Sequence, residues 1–406
     1  MHKPLITTAF CAVLLTGVIV AGPLDPPAGP IASTNKTLGE IEPRRIINDV
    51  NTPGTLTARH RIGSSGTYYL IGDVTAGDGQ RGIEIAASDV TLDLNGFTLE
   101  GSGLFSPTTL DGIGIDGSRT NITIRNGTIR EFDGIGIDLK QVRLSVVEDV
   151  VIVGCGADGI DAGPEAIITR CIAEGCLQGI SVGTGSLVER CISRANISSG
   201  FTVFVKGCFI NCISTQNGSS GFSTNGSILT GCIAQQNSDR GFSGNDSILR
   251  DCIAEENQSH GFAGESSYFG CSSRINMGRG FTMNFGGLVD GCTAQFNGEE
   301  GIWVEDESVV VNSRCTSNGL AGIRSVNNCR IERNFCQGNA VGIELASSGN
   351  IAIGNFCIDN TTNWSVAADN ACHVITVATG GAFTGDAGGV PLGSSDPGVN
   401  YARTSP

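Results

Sequence analysis

Residues 221 to 262 read GFSTNGSILTGCIAQQNSDRGFSGNDSILRDCIAEENQSHGF, a stretch in which one phrase occurs twice. The phrase starts with Gly-Phe, has a Cys about eleven residues later, and carries an Asn four residues before the next Gly. Between residues 159 and 360 the same phrase recurs with spacings of 19 to 21 residues. Because a unit of about 20 residues cannot bury an apolar face alone, successive units are expected to stack as coils of a solenoid.

The composition of each unit indicates strands and turns. Short runs of Ile, Val, Phe and Cys are separated by Gly, Asn, Ser and Asp, and no run is long enough for a helix. A leucine-rich repeat would need several Leu in each unit, whereas only six Leu lie between residues 159 and 341. The sequence therefore predicts an all-β, single-stranded parallel β-helix of roughly twelve to fourteen coils, each rising about 4.8 Å.

Two residue columns are predicted to hold the coils together. An Asn side chain at one corner of each coil can accept a hydrogen bond from one neighbour and donate to the next. A Cys followed two residues later by Ala or Ser would point inward as a small apolar group. The structural residues predicted in this way include Asn217, Asn237, Asn257, Asn276, Asn297, Cys212, Cys232 and Cys252.

The repeat and its two ends resemble a known family. The units that read GF…SILxxCIAxxN, and the opening between residues 66 and 103 with SDVTLDLNGFTLEGSG, resemble the right-handed parallel β-helix of the pectin-lyase-like superfamily. The segment GGVPLGSSDPGVNYA at 388–402 is similar to the C-terminal segment of secreted bacterial β-helix proteins of unassigned activity. The resemblance spans roughly residues 65 to 400 and implies a right-handed coil. It implies no particular activity, because lyases, hydrolases, epimerases and binding proteins share this fold.

The chain divides into five predicted segments. Residues 1–22 combine one Lys, an apolar run and small residues at the end, which is typical of a cleaved signal peptide. The others are a Pro-rich linker at 23–45, an N-terminal cap with the first coils at 46–110, the β-helix repeats at 111–363, and a C-terminal cap and tail at 364–406. The mature protein is therefore expected outside the cytoplasm, whether extracellular, at the cell surface or in the periplasm. No other apolar run is long enough to span a bilayer.

Charge narrows the classes of partner. The formal net charge is −15, and removal of residues 1–22, which contain only Lys3 as a charged residue, makes it −16. An acidic surface argues against nucleic acid as a partner. It is compatible with a polysaccharide or cell-surface glycan, with Ca²⁺, or simply with solubility.

An acidic motif stands out in the first coils. DGIGID occurs at residues 111–116 and 133–138, and DGID follows at 158–161. Asp111, Asp133 and Asp158 are expected to stack just ahead of the repeat Gly. A second row is predicted to contain Asp116, Asp138 and Asp161. Three interpretations stay open: solvated turn residues, oxygen ligands for calcium, or catalytic carboxylates about 5 Å apart.

A basic column is predicted further along the repeat. Arg240, His260 and Arg279 each precede the repeat Gly, one in each coil. They would bind a carboxylated or sulfated sugar, or His260 would act as a base. The alternative is that all three are solvated surface residues.

Three classes of function follow from these patterns. As a binding module, the protein would present its long surface to a polysaccharide. As an enzyme, it would be a lyase, glycoside hydrolase or epimerase that uses Asp111, Asp133, Asp158 or His260, although the catalytic motifs of the polygalacturonases, pectate lyases and alginate epimerases are absent from the sequence. As a structural cell-surface protein, it would show neither binding nor turnover.

Overall fold

The computed structural model describes residues 43–103, 110–372, 374–376, 383–385 and 400–403. Every regular element among them is a β-strand, and their strands pair in parallel, as Ile160–Ala162 does with Ile180–Val182. The predicted signal peptide, nearly all of the Pro-rich linker and most of the C-terminal tail lie outside the described residues. Within the described ranges no helix could cross a membrane.

The strands form two sheets. Sheet B contains one strand from each coil, and its 16 strands are Ala58–Ile62, Arg81–Ile85, Ile113–Ile115, Ile137–Leu139, Ile160–Ala162, Ile180–Val182, Phe201–Val203, Phe222–Thr224, Phe242–Ser243, Phe262–Ala263, Phe281–Met283, Ile302–Val304, Ala321–Ser325, Val341–Leu345, Thr362–Val366 and Phe383–Gly385.

Sheet A contains the remaining strands, which mostly come in pairs within a coil. Its 30 strands are Arg45–Ile46, Gly66–Tyr69, Val74–Thr75, Val90–Asp93, Thr98–Glu100, Arg119–Arg130, Val142–Val153, Ile167–Thr169, Ile172–Glu174, Leu187–Glu189, Ile192–Arg194, Cys208–Ile210, Ile213–Thr215, Ile228–Thr230, Ile233–Gln235, Ile248–Arg250, Ile253–Glu255, Ser267–Phe269, Ser272–Arg274, Leu288–Asp290, Thr293–Gln295, Val309–Val311, Arg314–Thr316, Arg330–Glu332, Phe335–Gln337, Ile351–Ile353, Phe356–Ile358, Ala371–Cys372, Val374–Thr376 and Asn400–Arg403.

A regular coil therefore consists of one strand of sheet B followed by two strands of sheet A. Each strand pairs with its counterpart one repeat later, so that Ile160 lies beside Ile180 and Ile172 beside Ile192. The solenoid has about 15 turns, slightly more than the twelve to fourteen expected.

The interior is filled by apolar side chains in register. The rings of the Phe residues that follow the repeat Gly stack face to face, with successive centroids 4.8, 4.8, 4.8 and 4.7 Å apart. These residues are Phe201, Phe222, Phe242, Phe262 and Phe281. Burial of one such side chain stabilises the fold by about 1.5–3 kcal/mol, so the stack contributes to holding neighbouring coils in register.

The Asn column forms a hydrogen-bonded ladder at one corner. The side-chain oxygen of Asn276 accepts from the backbone N–H of Asn257 at 3.0 Å and from its Nδ2 at 2.9 Å. Asn257 Nδ2 also donates to the carbonyl oxygen of Ala234 at 3.1 Å. The ladder runs through Asn196, Asn217, Asn237, Asn257, Asn276, Asn297, Asn318, Asn339 and Asn360. It satisfies turn groups that would otherwise be buried without a partner.

The cysteines are buried thiols with one exception. All 15 Cys in the described residues are free, and only Cys208 is not buried. The column that includes Cys212, Cys232 and Cys252 ends at Cys292, whose N–H donates to Ser313 Oγ at 3.2 Å. From there a second Asn ladder takes over this corner, and Cys315, Cys336 and Cys357 lie in the column of the small residues.

Candidate functional site

Three basic residues lie in one column beside sheet B. The backbone N–H of Gly241 donates to the carbonyl oxygen of His260 at 3.0 Å, and that of Gly261 donates to the carbonyl oxygen of Arg279 at 2.9 Å. Since the residue before each repeat Gly takes the same place in successive coils, Arg240, His260 and Arg279 occupy three consecutive coils. The spacing in the sequence predicts this arrangement.

A recess opens beside this column, and we call it the notch. Its volume is about 350 Å³, and none of its eleven lining residues is Asp or Glu. Its polar lining residues include Asn225, Arg240, Asn245, His260 and Thr282. The volume falls within the range of about 300–1,000 Å³ that is usual for ligand pockets.

The notch exists because sheet B narrows for two coils. The strands Phe222–Thr224 and Phe281–Met283 contain three residues, whereas Phe242–Ser243 and Phe262–Ala263 between them contain only two. The two short strands leave a gap in the wall of the solenoid. The longer coils on either side border it.

Two glycines make this narrowing possible. Gly244 and Gly264 follow the short strands, with φ angles of +154° and +133°. A Cβ on Gly244 would overlap the carbonyl oxygen of Thr224, and a Cβ on Gly264 would overlap that of Gly244. Only glycine allows the backbones to approach so closely in this conformation.

Arg240 is the cation of the notch. Its Nη1 donates to Ser243 Oγ at 3.3 Å, while its Nε is buried and has no hydrogen-bond partner. In the described part of the chain no carboxylate lies within ion-pair distance of Arg240. The hydroxyl of Thr282 is likewise buried without a partner. Buried polar atoms are nearly always bonded, so these two atoms call for an explanation.

His260 has a defined tautomer. Its Nδ1 accepts a hydrogen bond from the backbone N–H of Arg279 at 2.9 Å, so the neutral ring carries its proton on Nε2. Burial lowers the pKa of His260, and the positive charges of Arg279 and Arg240 lower it further, against the opposite effect of Glu299. The ring therefore favours its neutral form.

Arg279 differs from Arg240 because its charge is already balanced. Its Nε lies 2.8 Å from Glu300 Oε2 and 3.6 Å from Glu299 Oε2. Its guanidinium also stacks on the ring of Trp303, 4.2 Å from the centroid. The three residues predicted to bind as a group thus have different roles, and Arg279 borders the site as half of an ion pair.

The acidic coils do not stack as the sequence predicts. Ile113 pairs with Ile137, and the backbone N–H of Ile135 donates to Asp111 Oδ1 at 3.0 Å. Ile135 therefore takes the place beside Asp111 that was expected for Asp133, and that expectation is wrong. The second DGIGID is shifted by two residues because its second Gly, and not its first, aligns with the repeat.

The other acidic residues are distributed over several partners. Asp116 accepts from Arg61 at 2.8 Å, and Asp111 lies 3.3 Å from Arg81. Burial raises the pKa of Asp111 and that of Asp158. In the described ranges, no group of three or more His, Cys, Asp or Glu side chains is placed to hold a metal ion.

One carboxylate pair does form in register. Asp138 and Asp161 lie side by side on adjacent strands of sheet B, and Lys140 Nζ lies 3.6 Å from Asp138 Oδ2. Burial, followed by the negative charges of Asp158 and Asp138, raises the pKa of Asp161 to about 6. A carboxylate whose pKa is raised in this way, beside a second carboxylate, has the chemistry of a general acid.

Sequence reasoning missed part of this site. Thr282, Asn225 and Asn245 were not singled out, because Ser, Thr and Asn are common in every turn of the repeat. The available signal was the pair Gly244 and Gly264, which replace side chains in two consecutive units. A Gly inside a strand pattern often marks a close approach of backbone or ligand.

Comparisons with known proteins agree on the fold. Residues 62–208 match the family model described as "Right handed beta helix region". No curated protein matches the chain. The family match and the parallel solenoid agree on a right-handed β-helix.

Several solved structures are similar at low identity. The periplasmic alginate epimerase AlgG is 10% identical, with a TM-score of 0.40 over 88% of this chain and 80% of that one. The tailspike protein 3 of Bacteriophage CBA120 is 13% identical, with a TM-score of 0.44 over 75% of this chain and 56% of that one. The Azotobacter vinelandii mannuronan C-5 epimerase AlgE6 A-module is 13% identical, with a TM-score of 0.35 over 89% of this chain and 88% of that one. At such identities the likeness concerns the fold alone.

Proposed function

We propose that this chain is an exported protein that binds a polysaccharide along sheet B, with the notch as the point of recognition. One observation carries the proposal: Arg240 Nε and Thr282 Oγ1 are buried at the notch and have no partner within the described chain. A buried polar group without a partner costs about 1–3 kcal/mol. A ligand rich in hydroxyl groups that enters the notch and draws the side chains of Arg240 and Thr282 toward it would supply the missing partners, and a solenoid offers it a long surface.

The test is the binding of a panel of polysaccharides, measured by calorimetry with the full mature chain. Thr282→Val keeps the shape of the side chain and removes the hydroxyl. Its affinity should be about 2- to 10-fold weaker than that of the wild type, which corresponds to one hydrogen bond. Thr293→Val, on sheet A, is the matched control and should bind as the wild type does. Equal affinity of wild type and Thr282→Val, or no binding of any glycan, would contradict the proposal.

A second candidate function rests on Asp138 and Asp161. Adjacent strands are about 4.8 Å apart, close to the separation of about 5–5.5 Å between the carboxyl groups of retaining glycosidases. The pKa of Asp161, about 6, is suited to a general acid. New reducing ends, or an unsaturated product that absorbs in the ultraviolet, should appear with the wild type and disappear with Asp161→Asn. Glycan binding without turnover would contradict the enzymatic function and leave binding as the proposed function.

A further inference from the structure

The next inference rests on the proposed function and concerns the chemistry of the group that the notch receives. Along the column before the repeat Gly, the other arginines are balanced: Arg81 faces Asp111 at 3.3 Å, and Arg279 faces Glu300 at 2.8 Å. Arg240 has no such carboxylate in the described part of the chain. Although the chain has a formal net charge of −15, Arg240 lies in a recess whose lining contains no carboxylate.

The neighbouring amides present donors to the notch. The side-chain oxygen of Asn225 accepts from the backbone N–H of Asn245 at 3.0 Å, and that of Asn245 accepts from the backbone N–H of Glu265 at 3.1 Å. With both oxygens occupied by the backbone, the amide NH₂ groups are left to interact with a ligand.

The imidazole and the hydroxyl complete a set of donors. Because His260 Nδ1 accepts from the backbone, its Nε2–H is available as a donor. Thr282 Oγ1 also has a proton to donate and no partner. The notch therefore combines one guanidinium, one imidazole N–H, amide N–H groups and a hydroxyl, and it contains no carboxylate that would repel an anion. This set matches an acceptor-rich, negatively charged group.

We infer that the notch binds an oxyanion substituent of a glycan, which is a carboxylate, a sulfate ester or a phosphate ester. Arg240 binds the negative oxygens, and His260, Asn225 and Asn245 complete the hydrogen bonds around them. A shift of the Arg240 side chain toward the anion would also give its Nε, which is enclosed and without a partner, the bond that it lacks. The two coils with short strands admit one substituent of this size, while the rest of the glycan lies along sheet B.

The experiment compares polymers that differ in their charged group. Alginate supplies carboxylates, dextran sulfate supplies sulfate esters, a phosphomannan supplies phosphate esters, and dextran is neutral. At least one charged polymer should bind the wild type more tightly than dextran does, and Arg240→Gln should weaken that binding by about tenfold or more. Arg250→Gln is the matched control, since Arg250 is exposed on sheet A, where it stacks on Phe269 at 4.3 Å.

A second measurement separates this inference from the proposed function. Glucuronate, sulfate and phosphate as free ions should raise the melting temperature of the wild type and of Arg250→Gln by more than that of Arg240→Gln, since the general stabilisation by excluded anions is common to all three proteins. If dextran binds as tightly as the charged polymers and Arg240→Gln changes nothing, the oxyanion inference is overturned while glycan binding stands. If only the free ions act through Arg240, the notch is an oxyanion site, but polysaccharide binding is wrong and a glycan substituent as the occupant is overturned with it. If neither polymers nor ions respond to Arg240→Gln, the inference fails.

Discussion

At the residue scale, the register decides what each Asn does. Asn257 is one of nine Asn that take the same place in successive coils, and its amide is enclosed between neighbouring coils, where it joins them. Asn225 and Asn245 lie in the turn after sheet B and face the notch. The sequence predicted the first role because it recurs with the period of the repeat. It could not predict the second, which depends on the local loss of a strand residue.

Replacing Asn257 with Ala should destabilise the fold by about 1–3 kcal/mol, because the backbone N–H of Asn237 and the carbonyl oxygen of Ala234 lose a buried partner. Urea denaturation measures the loss of free energy, and hydrogen exchange should become faster between residues 237 and 276. Gln258→Ala, one residue along and exposed, is the control and should have little effect. Unchanged exchange in Asn257→Ala would contradict the role of the ladder.

At neutral pH the negative charge of Asp161 should make the fold less stable than an uncharged side chain at this position would. Its pKa is about 6 in the folded chain and about 3.8 as the ordinary value, so the folded state binds the proton more tightly. This preference stabilises the fold at low pH and is lost as the pH rises from about 4 to about 6. Asp161→Asn should therefore raise the stability at pH 7.5 by about 1 kcal/mol, a value reduced for the partial exposure of the group, and leave it unchanged at pH 3.5.

The control for this prediction is Asp246→Asn, which changes an exposed carboxylate in a turn. Its unfolding curve should follow that of the wild type at both pH values. A melting temperature of Asp161→Asn that does not exceed that of the wild type at pH 7.5 would show that the environment of Asp161 does not disfavour its charge.

At the scale of the element, the strand of sheet B and its following turn decide where the site lies. The repeat of Gly and Phe predicted the strands from residue 159 onward, since each unit offers only one alignment. The DGIGID unit at 133–138 offers two alignments, because either Gly can occupy the repeat position. The structure uses the second Gly, as the pairing of Ile137 with Ile113 and Ile160 shows. Packing of the Ile side chains inside the solenoid selects this register.

Replacing Gly244 with Ala should damage both stability and the notch. The added Cβ would overlap the carbonyl oxygen of Thr224, and the φ angle of +154° disfavours any side chain. A loss of about 1–3 kcal/mol is expected, measured by thermal or urea unfolding. Gly72→Ala, where nothing lies within 4 Å of the added Cβ, is the control and should unfold as the wild type does. A fully stable Gly244→Ala would mean that the short strand does not require glycine.

At the scale of the whole molecule, equivalent side chains of successive coils contact one another along the axis, so that most coils resemble their neighbours. This regularity is why the fold could be predicted from the sequence, and why the function could not. A binding site must interrupt the regularity, and the interruption here consists of a few absent atoms at Gly244 and Gly264. The charges show the same contrast, since Arg279 and Arg240 look alike in the sequence, but Arg279 is paired with Glu300 and stacked on Trp303, while Arg240 has neither contact.

The pH dependence of stability should report on the two described histidines that are buried or half-buried. His60 is 3% exposed, and its Nδ1–H donates to the carbonyl oxygen of Thr52 at 3.1 Å. Burial lowers the pKa of His60, and it lowers that of His260 as well. A lowered pKa means that the unfolded chain binds the proton more tightly. These residues therefore add stability above the ordinary value of 6.5, and this stability is lost as the pH falls below it.

His60→Gln separates this effect from the opposite one of Asp161, because Gln keeps an N–H donor for Thr52 and cannot titrate. The unfolding free energies of the wild type and of His60→Gln are measured with urea at steps from pH 7.5 to pH 5. As the pH falls, the wild type should lose more stability than the variant. For His260, the same pH series with sulfate present should show a smaller loss of stability as the pH falls. An oxyanion bound beside Arg240 stabilises the charged imidazole. A difference that stays constant with pH for His60→Gln would show that the ring titrates equally in the folded and unfolded chains.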